Sequence, residues 1–176
     1  MRTRVTIRPE KPADYEAVIQ LNDAAFGQPN EGALVRVLRE EAFPAVSLVA
    51  VAGDAVVGHI LFTPVTAEEA PAGPALLMGL APMAVLPELQ NQGIGSRLVR
   101  AGLKACTAIG CGAVVVLGHP EYYPRFGFVP ASRFGIRCEY DVPDEVFMVV
   151  ELAPDALTKC TGLVKYHPAF AEVTDP

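Results

Sequence analysis

Positive charge is in short supply. Lysine and arginine number 14 against 20 acidic residues, giving a formal net charge of −6 and a pI near 5.0. A general nucleic-acid binder shows a basic stripe, and this chain has none, so no nucleic-acid partner is expected. Cysteine is equally sparse. Cys106, Cys111, Cys138 and Cys160 form no C-x-x-C pair and no Cys/His group with zinc spacing, so no metal site is expected. Long apolar runs are missing too: none reaches membrane-spanning length without a Pro or Gly interruption. The N-terminus MRTRVTIRPE has no apolar core of a signal peptide. The expectation is a cytoplasmic protein with reduced thiols and no membrane partner. Two phosphate-binding signatures fail as well. No Lys-Ser or Lys-Thr pair follows the glycines at 93 and 95, which excludes a P-loop, and Leu98 stands where a dinucleotide fingerprint needs its third glycine.

What the chain does have is apolar mass. Hydrophobic residues make up 51% of its 176 residues and charged ones 19%, a composition that packs into one domain with a sizeable core. The most informative stretch is LLMGLAPMAVLPELQNQGIGSRLVRAGLKA, residues 76–105. Residues 76–86 read as a buried strand. Gln90, Asn91, Gln92, Gly93, Ile94, Gly95 and Ser96 read as a loop turning into a helix. Ile94, Leu98, Ala101 and Ala105 are spaced four, three and four, one face of that helix, and Gly110 is placed to stop it. The first N–H groups of a helix lack internal partners and carry partial positive charge, so this junction is an anion site. Gly93 and Gly95 have no Cβ, which lets a phosphate approach the backbone.

Elsewhere the pattern alternates strands and helices. Val5, Thr6 and Ile7 form a short strand, and a helix follows Pro12 and Asp14 and runs to Phe26. Residues 31–41 form a second helix facing inward with Leu34, Val35 and Leu38, ended by Pro44. Residues 46–51 and 55–62 are a hairpin about Gly53-Asp54, and residues 67–74 a polar loop. Residues 113–117 are a buried strand, joined to residues 76–86 by a right-handed parallel crossover. GHPEYYPRFGF, residues 118–128, is aromatic and bounded by prolines, and residues 147–152 form the last strand. The order β-α-α-β-β-β-α-β-α-β gives a mixed α/β sheet with helices on both faces. Residues 1–155 are expected to form the domain, with 156–176 a tail packed on it.

That order, with Gln90-x-x-Gly93-x-Gly95 after the long strand and Tyr123 four residues before Gly127-Phe128, resembles the GCN5-related N-acetyltransferase (GNAT) superfamily over nearly the whole chain. The wording MAVLPELQNQGIGSRL, YYPRFGF and GLVKYHPAF is similar to a bacterial branch of it, the YhbS-like predicted N-acetyltransferases. The resemblance implies the GNAT fold: a mixed, mostly antiparallel sheet with a splayed parallel pair at its centre. It implies acetyl-CoA as cosubstrate and an amine as acceptor, on a monomer or homodimer. Met83, Ala84 and Val85 would pair with the pantetheine arm, and the N–H near Val85 would hold the oxyanion. The backbone from Gln90 to Ser96 would hold the pyrophosphate, with the Gln90 side chain organising the loop. Arg97 and Arg100 face either phosphate oxygens or solvent. Tyr123 would be the general acid to the departing thiolate, with Tyr122 the alternative. The family's strand carboxylate is absent between residues 76 and 86; Glu31, His59 and His119 are the base candidates, beside a water chain. The acceptor groove would draw on residues 27–30, 67–74 and 132–145. A module of the same fold that holds acyl-CoA without turnover is the alternative, because that carboxylate is missing.

Overall fold

The apolar run along Val46–Ala52 and helical spacing along Asn30–Glu41 are realised in a computed structural model that describes residues 3–69, 76–158 and 160–174. Among these, the strands are β1 (Val5–Pro9), β2 (Val46–Ala52), β3 (Ala55–Glu69), β4 (Leu76–Val85), β5 (Cys111–Leu117), β6 (Val129–Pro130), β7 (Ile136–Cys138), β8 (Phe147–Glu151) and β9 (Thr161–Lys165). The helices are α1 (Tyr15–Phe26), α2 (Asn30–Glu41), α3 (Ile94–Ala108) and the single turn α4 (Ala171–Thr174). The sheet order is β1-β2-β3-β4-β5-β8-β6, with β9 paired to β3 and β7 paired to β9. The chain divides into two compact units, residues 1–63, 81–102 and 168–176 in the first and residues 64–80 and 103–167 in the second.

In the first unit β2 is antiparallel to both β1 and β3, as the Gly53-Asp54 turn requires. Helix α3 sits directly on β3, and two glycines make this possible. A Cβ on Gly58 would stand 3.1 Å from Leu98 Cδ1 and 3.2 Å from Ile94 Cγ2, while one on Gly102 would overlap the Phe62 ring. The buried stripe of α3 is therefore Ile94, Leu98, Val99, Gly102 and Cys106. Ala101 and Ala105, expected on that face, are only half-buried, because the helix turns its glycine rather than its alanines to Phe62. Helices α1 and α2 close up in the same manner at Gly32, whose N–H donates to Asp23 Oδ1 at 3.0 Å.

In the second unit β4 and β5 are parallel, and their ladder runs from Leu76↔Cys111 to Gly79↔Val115. β5 continues antiparallel to β8, and β8 to β6. Three expectations change. β3 does not stop at residue 62 but continues to Glu69, since Thr66, Ala67 and Glu69 pair with β9. The rest of the expected loop, residues 70–74, lies outside the described residues. The stretch read as a tail supplies β9 itself, which also pairs in parallel with the unforeseen β7. No α-helix stands between β5 and β8 among the described residues; 3-10 turns at Tyr123–Phe126, Ala131–Phe134 and Asp144–Val146 replace the one expected. Prolines at 120, 124, 130 and 143 each remove a donor, and together they leave no room for an α-helical ladder.

The entry to α1 is fixed by charge. Asp14, 7% exposed, accepts Arg8 Nη1 at 2.7 Å and Nη2 at 3.0 Å and the Lys11 N–H at 2.8 Å. The Arg8 hydrogen bonds hold its carboxyl down at about 2, against an ordinary value of 3.8, although burial works the other way. A depressed folded-state pKa contributes stability above the unfolded value and loses it as pH falls through the folded value. The stability gap between wild type and Asp14→Asn should therefore stay constant above about pH 5 and close between about pH 4 and pH 2. Urea unfolding of both proteins across that range checks it; a gap that is flat down to pH 2 would remove Asp14 from the account.

Candidate functional site

The loop ahead of α3 takes its shape from two left-handed residues, Asn91 at φ 62° and Gly93 at φ 86°. Gly93 is suited to that conformation, and the space where its Cβ would point holds no atom within 4 Å. The Arg97 N–H donates to the Gly93 carbonyl at 3.1 Å and closes the first helical bond. The N–H groups of Ile94 and Gly95 precede it, so by position they have no acceptor inside the helix. These donors, the positive end of a 15-residue helix and open room beside Gly93 fit a phosphate group.

The loop is tied to its strand. Gln90 Nε2 donates to the Val85 carbonyl at 3.1 Å, the organising contact expected of that side chain. The Leu86 N–H donates to Val57 on β3 at 2.9 Å. Met83 and Val85 are half-buried and Ala84 is buried, the alternation of a strand with one covered face. Pro82 between these residues and the ladder has no N–H to give, so regular pairing is interrupted there. Arg97 is exposed, and its Nη2 donates to the Val5 carbonyl at 2.8 Å.

In the second unit the segment after β5 folds into an aromatic knot. The N–H groups of Tyr122 and Tyr123 both donate to the His119 carbonyl, at 3.0 and 3.3 Å. Tyr123 is 7% exposed, with its ring edge-on to Phe128 at 5.5 Å and against Gly118, where any Cβ would overlap it. Tyr122 is half-buried under the Arg125 guanidinium, 4.5 Å from its ring centre, and the Arg125 Nε donates to the Tyr122 carbonyl at 2.9 Å. Arg125 thus serves the turn. Burial pushes the Tyr123 hydroxyl up to about 12, so at neutral pH it carries its proton. Residues expected in the acceptor groove, among them Ser132, Tyr140 and Asp144, line a cavity of about 270 Å³ in this unit, together with Phe147.

The base candidates separate. His119 is exposed. Glu31, in the first turn of α2, is 8% exposed, and its Oε2 has no hydrogen-bond partner among the described residues. His59 is fully buried with both ring nitrogens occupied, Nδ1 3.2 Å from Asn22 Nδ2 and Nε2 2.9 Å from Ser47 Oγ. The Asn22 amide also donates to the Val18 carbonyl, so it presents N–H to Nδ1, and the ring proton sits on Nε2. Ser47 in turn donates to Glu10 Oε2 at 2.6 Å, and Arg39 binds Glu10 Oε1. Burial first, then the Arg39 charge, lowers the His59 pKa to about 3. This Asn-His-Ser-Glu-Arg chain has the members of a hydrolytic triad but the opposite polarity: the imidazole donates to the serine and cannot take its proton. Nothing local in the sequence joins Glu10, Asn22, Ser47 and His59, which is why only the histidine drew notice.

The mixed sheet with its parallel pair β4–β5 is that of an acyl-CoA-type transferase. The chain belongs to the acetyltransferase (GNAT) family, whose model matches residues 15–128. It is 39% identical over 166 residues to the uncharacterized N-acetyltransferase YhbS of Escherichia coli K12, covering 93% of this chain and 97% of that one. Its fold superposes on the crystal structure of Escherichia coli YhbS in complex with CoA with a TM-score of 0.88, at 36% identity over 96% of this chain and 93% of that one. A GNAT-family acetyltransferase from Brucella melitensis in complex with acetyl-CoA gives 0.77, at 35% identity over 96% and 99%.

Removing the serine hydroxyl isolates the structural chain. In Ser47→Ala the His59 Nε2–H loses its acceptor inside the core, at a cost of about 1–3 kcal/mol. Urea unfolding at pH 7 checks it, and a loss under about 0.5 kcal/mol would mean that water replaces the hydroxyl.

Proposed function

We propose that the protein, an acetyl-CoA-dependent N-acetyltransferase by its family, passes the acetyl group directly from acetyl-CoA to a primary amine, on a small molecule or a peptide. The observation that carries this is the cradle: backbone donors of Ile94 and Gly95 beside the open left-handed turn at Gly93. Relatives with CoA and acetyl-CoA in their crystals support the same assignment. Gln90, Asn91, Gln92, Gly93, Ile94, Gly95 and Ser96 would hold the pyrophosphate, and Met83, Ala84 and Val85 the pantetheine arm. The four cysteines are free thiols, the state expected in a reducing cytoplasm. Cys106, Cys111 and Cys160 are buried, and burial pushes the thiols of Cys138 and Cys160 up, away from the thiolate that an acyl-cysteine route needs.

In the reaction so read, the neutral amine attacks the thioester carbon, the oxyanion is held by the N–H near Val85, and the C–S bond then breaks. Tyr123 gives its proton to the departing sulfur, and the proton shed by the attacking nitrogen returns through water to the phenolate. At a pKa of about 12 the phenol is always loaded. Full transfer to a thiolate of ordinary pKa about 8.5 runs uphill, so the step draws on the collapse of the tetrahedral intermediate.

Calorimetric titration with acetyl-CoA, with ATP and NAD as controls, tests the cradle. Acetyl-CoA alone should bind. Gly93→Glu places a carboxylate in the open space and should abolish that binding while the unfolding transition survives. Unchanged affinity in the folded variant would sink the loop assignment.

Tyr123→Phe should lower kcat by about 10²-fold or more with little change in acetyl-CoA affinity. If Tyr122→Phe does this instead, the acid is its neighbour.

A further inference from the structure

Asp14 and Glu31 are the buried carboxylates among the described residues, and they differ in company. Asp14 accepts three hydrogen bonds, two from Arg8 and one from the Lys11 N–H. Glu31, 8% exposed in the first turn of α2, has no donor at Oε2 among the described residues. A buried carboxylate oxygen left unpaired is costly, and an amide or an apolar side chain of similar size would avoid that cost. Such an exception calls for a partner that the fold itself does not supply.

A series of contacts inside the first unit ties this turn to the strands of the cradle. The Gly32 N–H donates to Asp23 Oδ1 at 3.0 Å, and a Cβ on Gly32 would overlap Asp23 and Ile19, so α2 starts flat against α1. Next to Asp23 stands Asn22, whose amide nitrogen lies 3.2 Å from His59 Nδ1 on β3. Two residues before His59, the Val57 carbonyl accepts the Leu86 N–H at 2.9 Å. Met83, Ala84 and Val85 immediately precede Leu86. The contacts therefore run from the strand end that would carry pantetheine and oxyanion, across His59 and α1, to the turn that bears Glu31.

We propose that Glu31 is the acceptor-binding residue, its Oε2 receiving an N–H of the amine to be acetylated. The inference rests on the transferase reading above and deepens it. An ionised carboxylate only accepts hydrogen bonds, so its missing partner must bring donors, and a positive charge on that partner offsets the desolvation of both. A primary ammonium meets both demands, since it carries three N–H groups and a full charge. It loses one proton to water, and the neutral nitrogen attacks the thioester carbon while another of its N–H groups stays on Glu31. The carboxylate gains no proton in this step. It holds the nitrogen in place.

Urea unfolding of the intact protein in propylammonium chloride tests the assignment. Tetramethylammonium chloride at equal ionic strength is the control, having the charge but no N–H. Propylammonium should raise the wild-type midpoint by binding the folded state, and tetramethylammonium should not. Glu31→Gln keeps the shape and removes the charge. It should unfold near the wild-type midpoint and bind acetyl-CoA as wild type does, with propylammonium affinity down about tenfold or more. An equal propylammonium shift in Glu31→Gln overturns the proposal. So does the absence of any shift in wild type, the result expected if water alone satisfies the oxygen. A Glu31→Gln protein that folds poorly overturns it too, by showing that the carboxylate serves the fold. Failure of folded wild type to bind acetyl-CoA is a different result: it overturns the cradle reading, and the acetyl-CoA titration alone reports it.

Discussion

The seat of α3 on β3 is the constraint from which the candidate site follows. Helix and strand approach at Gly58 and Gly102, where side chains would collide with Leu98, Ile94 or Phe62. Because α3 is pinned there over two turns, its N-terminus has a fixed position. The loop before it is then secured by bonds that reach three different strands: Gln90 to Val85, Arg97 to Val5, and Leu86 to Val57. A cradle of backbone donors works only when it is held in this way, since a donor that must be ordered on binding returns less affinity. The strained-looking features of the loop, left-handed Asn91 and Gly93, are what turn the chain from strand to helix in so few residues.

Burial of polar groups divides the molecule's tyrosines and histidine into different jobs. His59 is an imidazole inside a strand of apolar residues, and it survives there because Asn22 and Ser47 satisfy both nitrogens. With a pKa near 3 it is a neutral strut. Its chain ends on Arg39, whose guanidinium also lies 3.7 Å from the Tyr15 ring centre, so the positive charge is met by a carboxylate on one side and a π-face on the other. Tyr123 and Tyr166 are buried as well, and burial raises both hydroxyls. They are neutral donors by environment, fit for shaping a path or lending a proton, and not for holding charge.

Local signals were legible, and pairings across the sheet were not. The hairpin at Gly53-Asp54, the inward face of α2 and the glycine turn into α3 are each written within a dozen residues, and each stands where the pattern put it. The turn through Asn91 and Gly93 belongs to this class. The continuation of β3 past Phe62 depends on β9, about a hundred residues later, and β7 is three residues long with a partner 26 residues on. No periodicity marks a strand that short. Ala101 and Ala105 were misplaced for a related reason. Glycine carries no hydrophobic signal, so Gly102 is invisible to a pattern of apolar residues although it faces the core. The same holds for the seat of Tyr166, which is set by an absent side chain at Gly79, 87 positions earlier in the numbering.

Strand β4 carries no carboxylate between residues 76 and 86, and at Gly79 the Tyr166 ring takes the space that a side chain would need. A buried charge beside that ring would be expensive unless paired. The loop before α3 likewise offers peptide donors rather than a side-chain charge, while Arg97 gives one guanidinium nitrogen to the Val5 carbonyl. A chain of net charge −6 can bind a polyanion by such means because the attraction comes from oriented dipoles at close range, where overall charge matters least.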